Sequence, residues 1–271
     1  MIVPMPPASL NFAEAFEIGD RFWALGKVLQ DDPKHTKPPH RVLTFRYSIR
    51  AMLARILIVD REYRSLNQTG QGTSTEDTMR TQKDRNHWNM VWESYAGVLF
   101  FAMDSSIECF THALNAMGYL LKPADFIDIT NDNKLKQVSL ANLLDPPKPN
   151  ANKPAFATCQ NLFPKICRHW SFHRGLISQI IEYHDASKHR HSVVIGHTPG
   201  FHFLKPDPKQ AMDKAAFKVG MTQTVVAPDY NLTVQTLTTD YQAFMIGWLR
   251  TAREEVETIF NLPFQKLPID T

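Results

Sequence analysis

The chain has 271 residues, with 30 Lys and Arg against 27 Asp and Glu, and a formal net charge of +3 when its histidines are neutral. A hydrophobic fraction of 43% and a charged fraction of 21% are typical of a packed globular protein and exclude a largely disordered or fibrous chain. The near-neutral balance also excludes a protein-wide basic field, so binding of nucleic acid or of an anionic membrane would require a local patch.

The cysteines predict a reducing environment. Cys109, Cys159 and Cys167 are odd in number and contain no Cys-x-x-Cys pair, which favours buried free thiols over a disulfide framework. The first ten residues lack the basic and apolar segments of a signal peptide. The most apolar segment, 95–103, is far shorter than the roughly 20 residues that span a bilayer. We therefore expect a cytoplasmic protein with no membrane partner.

Apolar residues at helical spacing predict the first two elements. A first helix is expected over 11–29, with Ser9 as its N-cap. A second helix is expected over 42–66, although the alternation at 43–49 also fits a strand. The next segment, 65–86, is rich in Thr, Gln, Gly and Asp and predicts a long exposed loop or a disordered one.

The middle of the chain carries the strongest helical patterns. A helix over 88–121 is dense in aromatic and aliphatic residues and should lie at the centre of the core. A shorter helical stretch extends to about Leu144, and four prolines within 145–154 indicate a stiff connector and the best candidate boundary. A further long helix is expected from Thr158 to about His189.

The pattern then changes to short runs rich in Val and Thr. They predict four strands, at 192–195, 201–204, 221–226 and 232–237. A last helix is expected over 238–261. The predicted fold is therefore mainly α, a helical bundle with a small antiparallel β insertion near the C-terminus. We expect a single domain over 1–271, with its helical core at about 10–190 and 238–262 and the insertion at about 191–237.

The central helix carries a polar stripe. Asp104, Glu108 and His112 stand four residues apart, with Asn115 nearby, so on a helix they share one face among apolar neighbours. The stripe fits a metal or acid/base site inside a bundle, to which facing helices donate Glu and His side chains. It also fits a polar edge that faces solvent, or a pairing of Glu108 with His112.

Histidines are concentrated beyond the connector. Seven of the 11 histidines lie within 34 residues, at positions 169, 173, 184, 189, 191, 197 and 202. His169 and His173 have the spacing that lets two imidazoles of one helix meet a metal, although the Glu of the zinc-protease motif is absent. These histidines suggest a metal-dependent hydrolase as one alternative function, and a non-catalytic interaction module is the other. The metal ligands of the hydrolase would be Glu108, His112, His169, His173 and Asp185.

A polar cluster at the end of the same helix, His184-Asp-Ala-Ser-Lys-His-Arg-His191, follows two apolar isoleucines. A long helix with a polar stripe, followed by a long helix with this kind of ending, resembles the HEPN (higher eukaryotes and prokaryotes nucleotide-binding) superfamily of helical bundles. The resemblance covers about 88–191. In catalytic members of that superfamily an Arg and a His, separated by four to six residues, form a metal-independent RNase site across a dimer interface. Other members are inactive or bind nucleotides.

If this cluster is catalytic, general chemistry assigns roles to several of its residues. His189 would act as general acid or base, and Lys188 or Arg190 would stabilise charge on a phosphate. Asp185 stands where the family favours a polar residue. Glu108 or His112 would orient the base from the facing helix. The alternative is a solvated basic helix end, whose Lys, Arg and His suit the negative end of the helix dipole.

Further nucleic-acid contacts are predicted at His191 and on the second helix. Arg46 and Arg50 lie on one side of that helix with Arg61 and Arg64, and such a stripe fits either phosphate tracking or ordinary surface charge. We expect no aromatic residue to interleave with these arginines. The implied partners are RNA or a nucleotide and a second copy of the chain. No cofactor is predicted, since no Walker loop or dinucleotide fingerprint occurs.

Overall fold

The computed structural model describes residues 10–32, 40–72, 82–129, 132–147, 153–189, 194–197, 200–204 and 228–267. The helices in these segments are α1 Ala13–Asp31, α2 His40–Gly72, α3 Gln82–Leu121, α4 Asp132–Leu135, α5 Leu140–Leu143, α6 Pro154–Leu162, α7 Pro164–Phe172, α8 Arg174–His189 and α9 Val234–Phe260. A 3-10 turn follows at Phe264–Lys266. The strands β1 Val194–His197, β2 Gly200–Leu204 and β3 Pro228–Thr233 pair antiparallel in that order.

The prediction of a mainly α protein is confirmed, but the β insertion is wrong in the extent predicted, about 191–237, since the described strands cover 194–197, 200–204 and 228–233. Its last strand, 232–237, is mostly helix, because α9 begins at Val234. The strands that the structure describes between α8 and α9 are only four to six residues long. The strand predicted at 221–226 lies outside the described residues.

The helical start of α9 has a physical explanation in the same Val- and Thr-rich run. Val234, Leu237 and Tyr241 are all buried at spacings of three and four residues, so the run continues the apolar face of a helix. The hydroxyl of Thr238 donates to the carbonyl of Val234 at 2.7 Å. Burial on one helical face therefore overrides the strand preference of the β-branched residues.

The helices predicted over 11–29, 42–66 and 88–121 are confirmed, and the strand alternative at 43–49 is wrong. The loop predicted over 65–86 is wrong where the structure describes it, since α2 continues to Gly72 and α3 begins at Gln82. Tertiary packing holds the end of α2, because Leu66 is buried and Asn67 accepts a hydrogen bond from Gln235 at 3.1 Å.

The single helix expected over 158–189 is instead three helices, α6, α7 and α8. Pro164 is the first residue of α7, a position where its missing N–H and fixed φ are tolerated, and this start separates α7 from α6. His173 follows α7 as its C-cap. His169 and His173 therefore do not lie within one continuous helix.

The described residues divide into two compact units. The first takes them from Met1–Leu10, Val59–Phe101 and Gln179–Asp240, and the second from Asn11–Ile58, Ala102–Ser178 and Tyr241–Thr271. One boundary precedes α1, and the other four fall inside α2, α3, α8 and α9 rather than at the proline-rich connector. The single-domain organisation remains a prediction.

Each unit has an aromatic core. In the second unit the ring centroids of Phe110 and Trp248 lie 4.0 Å apart, and both side chains are buried. In the first unit the buried rings of Phe100 and Tyr183 stack at 5.6 Å. None of the helices in the described segments combines the length and the apolar character needed to cross a bilayer.

Candidate functional site

Two of the arginines predicted to bind nucleic acid meet one tryptophan in the second unit. The guanidinium carbon of Arg46 lies 4.0 Å from the centroid of the Trp23 ring, and that of Arg50 lies 5.6 Å from it. Arg46 and Arg50 are one turn apart on α2, and Trp23 comes from α1. Gly26 permits this approach, because a Cβ atom there would collide with Cγ of Arg46.

The Arg46 side chain is held in place while Arg50 is exposed. Nη1 of Arg46 donates to Oε1 of Gln30 at 2.8 Å, and its Nε is buried with no hydrogen-bond partner in the described part of the chain. A guanidinium has five N–H donors, so donors of Arg46 remain for a ligand. Arg50 presents its charge to solvent.

The arginine stripe does not extend along the whole of α2. In the first unit, Arg61 pairs with Glu62 at 2.6 Å and Arg64 pairs with Asp60 at 2.7 Å. These two guanidiniums are thus already matched by carboxylates. Of the four arginines in the predicted stripe, Arg46 and Arg50 are the two that lie against the Trp23 ring.

A second aromatic ring belongs to this cluster. Tyr47 is 59% exposed, and its ring meets Trp23 edge-on with centroids 5.9 Å apart. The expectation that no aromatic residue interleaves with the arginines is therefore wrong. Tyr47 directly follows Arg46 in the sequence, so an aromatic ring beside the arginines could have been predicted. The contribution of Trp23 depends on the packing of α1 against α2.

An open groove lies between α2 and α3 of the same unit. Its cavity volume is about 430 Å³. The lining residues are Leu43, Thr44, Tyr47, Ser48 and Ala51 from α2, and Cys109 and His112 from α3. Tyr47 therefore belongs to both the groove and the arginine cluster, which adjoin at this residue.

His112 is the titratable group of the groove that was predicted from the sequence. Burial lowers the pKa of His112, so its imidazole is neutral at pH 7 and offers one donor and one acceptor. No hydrogen-bond partner of His112 occurs among the described residues. Burial raises the pKa of the neighbouring Cys109, with Arg55 acting in the opposite direction, so that side chain is a thiol rather than a nucleophilic thiolate.

The other residues of the predicted polar stripe, Asp104, Glu108 and Asn115, do not line the groove. Asp104 is buried and Glu108 is exposed. Glu108 is close enough to Cys109 to raise the pKa of that thiol, although it does not line the groove. Asn115 is fully buried and exchanges two hydrogen bonds with the backbone of Ile127, at 3.0 and 3.2 Å. Asn115 therefore fastens the loop that follows α3.

His169 and His173 are close together but are engaged with the backbone. Nε2 of His169 lies 3.1 Å from the carbonyl of Phe244, and Nδ1 of His173 lies 3.0 Å from the carbonyl of His169. Their ring centroids are 4.3 Å apart. Among the described residues, which include all five ligands of the metal alternative, no three His, Cys, Asp or Glu side chains form a group that could hold a metal ion.

The predicted RNase cluster falls at the end of α8, in the first unit. Asp185 is half-buried, and the neighbouring His184 ring meets Phe101 edge-on at 5.6 Å. The side chains of Lys188 and His189, together with Arg190 and His191, lie outside the described residues. The catalytic roles assigned to this cluster therefore remain predictions.

No protein-family model, curated protein or solved structure matches the chain.

Proposed function

We propose that this chain is a HEPN-like helical protein that binds RNA or nucleotides, with Arg46 and Arg50 holding a phosphate and Trp23 and Tyr47 supplying aromatic surface. The observation that carries the proposal is the convergence of two guanidiniums on one indole ring, at 4.0 and 5.6 Å. The global charge of +3 does not predict such a site, but a local cluster does.

The chemistry of the cluster suits a ligand that is both anionic and aromatic. Guanidiniums bind phosphate through several N–H donors, and the contact of a guanidinium face with an indole face uses none of those donors. Aromatic side chains beside a basic surface stack bases without regard to sequence. Arg50 is the more informative of the two arginines, because it is exposed and its position is not explained by packing.

The proposal is tested by fluorescence anisotropy with a labelled single-stranded oligoribonucleotide. Arg50→Ala should weaken binding about tenfold and reduce the salt dependence of log K by about 0.7, the value for one phosphate contact on a single strand. Arg64→Ala is the matched control on the same helix, since it removes the same charge from a residue that is already paired with Asp60. Equal losses in both variants would show a response to net charge alone and would overturn the proposal.

The aromatic part has its own control. Tyr47→Ala should weaken oligoribonucleotide binding several-fold, because base stacking contributes about 1–3 kcal/mol per base. Phe172→Ala removes another exposed ring, 85% exposed on α7, and should leave binding unchanged. A loss that is the same for both variants would remove stacking at Tyr47 from the proposal.

Cleavage of RNA, which the resemblance implies for the segment 185–191, is tested separately. Activity abolished by His189→Ala, in a variant whose circular dichroism and melting temperature are unchanged, would support catalysis at the end of α8. Intact activity in that variant would exclude this site. Ribonuclease activity of the unmodified protein in excess chelator is the first measurement.

The cytoplasmic location and the homodimer are also part of the proposal. Three free cysteines, two of them fully buried, suit a reducing compartment. The dimer is implied by the resemblance. Light scattering of the full chain at several concentrations tests it, and a monomer mass throughout would exclude it.

A further inference from the structure

The groove between α2 and α3 differs in chemistry from the arginine cluster beside it. Its lining combines apolar side chains, the hydroxyls of Thr44, Tyr47 and Ser48, and the imidazole of His112. Burial keeps that imidazole neutral at pH 7. No permanently charged residue of the described segments lines the groove, so it is unsuited to a phosphate.

The groove is suited to a flat, neutral ring with hydrogen-bonding edges. Its volume of about 430 Å³ falls within the range of roughly 300–1,000 Å³ that is typical of small-molecule sites. His112 can donate one hydrogen bond and accept another, and it has no partner for either within the described part of the chain. Ser48 adds a hydroxyl that can both donate and accept a hydrogen bond.

The groove and the phosphate-binding arginines are neighbours along α2. Tyr47 lines the groove and also meets Trp23, the ring against which Arg46 and Arg50 lie. Arg50 is three residues after Tyr47, so the two side chains emerge on the same side of the helix about one turn apart. A ligand with a phosphate at one end and a ring at the other can therefore span both sites.

We infer that the α2–α3 groove holds the base of a nucleotide whose phosphate lies on Arg50, with His112 and Ser48 hydrogen-bonded to the edge of the base. This inference rests on the proposed function and adds to it the place where the base lies. It assigns the hydrogen-bonding contacts to α3 as well as α2.

The test is calorimetric titration of the full chain with the four nucleoside 5′-monophosphates and with ribose 5-phosphate, which lacks a base. At least one monophosphate should bind ten times more tightly than ribose 5-phosphate. His112→Ala and the groove-filling Ala51→Leu should each abolish that advantage while leaving the affinity for ribose 5-phosphate unchanged. Arg50→Ala should weaken both classes of ligand.

The matched control for the filled groove is Ala54→Leu, which adds the same side chain three residues further along α2 at an exposed position. It should leave the advantage intact. Circular dichroism of each variant separates loss of binding from loss of fold, and His112→Gln provides a second, more conservative change at the same position.

Three outcomes would overturn the inference, and the first two leave the proposed function standing. Equal affinity for the monophosphates and ribose 5-phosphate would show that no base site exists, while phosphate binding at Arg50 would stand. An advantage that survives Ala51→Leu and His112→Ala would place the base outside the groove. Absence of binding to every monophosphate and to the oligoribonucleotide would overturn both proposals together.

Discussion

Nε2 of His169 donates to the carbonyl oxygen of Phe244 at 3.1 Å, and the His169 ring stacks on the Phe244 ring with centroids 5.5 Å apart. A carbonyl only accepts hydrogen bonds, so the contact fixes the proton of the neutral imidazole on Nε2. Gly247 leaves room for this arrangement, since a Cβ atom there would lie 2.7 Å from Cε1 of His169. The pair ties α7 to α9 within the second unit.

This contact predicts a loss of stability at mildly acidic pH. Burial lowers the pKa of His169 below its ordinary value of 6.5, the Phe244 carbonyl opposes that shift, and the nearby His173 adds to it. Because the unfolded chain binds the proton more readily, the stabilisation is present above about pH 6.5 and is lost as pH falls through the lower folded-state pKa. Urea unfolding of His169→Gln, which keeps an N–H donor, should show a smaller loss between pH 7 and pH 5 than the unmodified protein. An identical pH dependence would contradict this assignment.

A second prediction concerns Glu255, whose carboxylate caps the start of α7. Its two oxygens accept hydrogen bonds from the backbone N–H groups of Lys165 and Ile166, at 2.6 and 3.1 Å. Glu255→Ala should cost about 1–3 kcal/mol in the free energy of unfolding, because two N–H groups at the start of α7, that of Ile166 buried, lose their partners. Glu255→Gln should cost less, since its amide oxygen still accepts. Glu254→Gln is the neighbouring control at an exposed position, and a loss there as large as that of Glu255→Ala would refute the cap.

The buried hydroxyls of Ser106 and Tyr241 predict unequal effects of removing either one. Ser106 donates to the carbonyl of Met103 at 2.6 Å, which leaves Tyr241 as the donor in their mutual hydrogen bond of 2.6 Å. Tyr241→Phe should cost about 0.5–1.5 kcal/mol in unfolding free energy, while Ser106→Ala should cost about 1–3 kcal/mol because a fully buried hydroxyl loses its acceptor. The double variant should be more stable than Ser106→Ala alone. Chemical denaturation of the three variants checks the order, and additive losses would show that the two hydroxyls are independent.

Two glycines predict opposite responses to alanine. Gly26→Ala forces its new methyl group against Cγ of Arg46, and overpacking of this kind costs about 1–3 kcal/mol. At Gly175, near the start of α8, an added methyl group would meet no atom of the described segments within 4 Å, so Gly175→Ala should gain up to about 1 kcal/mol from helix propensity. Thermal melting distinguishes them. A gain at Gly26 would show that α1 and α2 are not as closely packed there.

The helices were predictable where apolar periodicity decides the structure. The long patterns of α1, α2 and α3 and the buried spacing of α9 all carry that signal. Pro164 was also a readable break inside the supposed helix at 158–189, since a proline is well tolerated at the first position of a helix and poorly in its interior. The extension of α2 past Ser65 could not be predicted from the local sequence, because it depends on burial of Leu66 and on the hydrogen bond between Gln235 and Asn67.

The candidate site was predictable only in part. His112, Arg46 and Arg50 follow from spacing and charge along single helices. The site that they form depends on residues that are distant in the sequence. Trp23, on α1, contacts the arginines of α2, and the groove is lined by residues of both α2 and α3. Local patterns do not specify which faces of two helices meet. The sequence thus identified the charged members of the site and missed its aromatic members.

The division of the chain has a practical consequence for how the protein can be studied. Each compact unit draws its residues from three separate stretches, and four of the five changes from one unit to the other occur within helices. A continuous fragment that stops at the proline-rich connector would therefore lack residues that both units require. We expect such fragments to be degraded or insoluble when expressed, and each half of the molecule to be accessible to experiment only through substitutions in the intact chain.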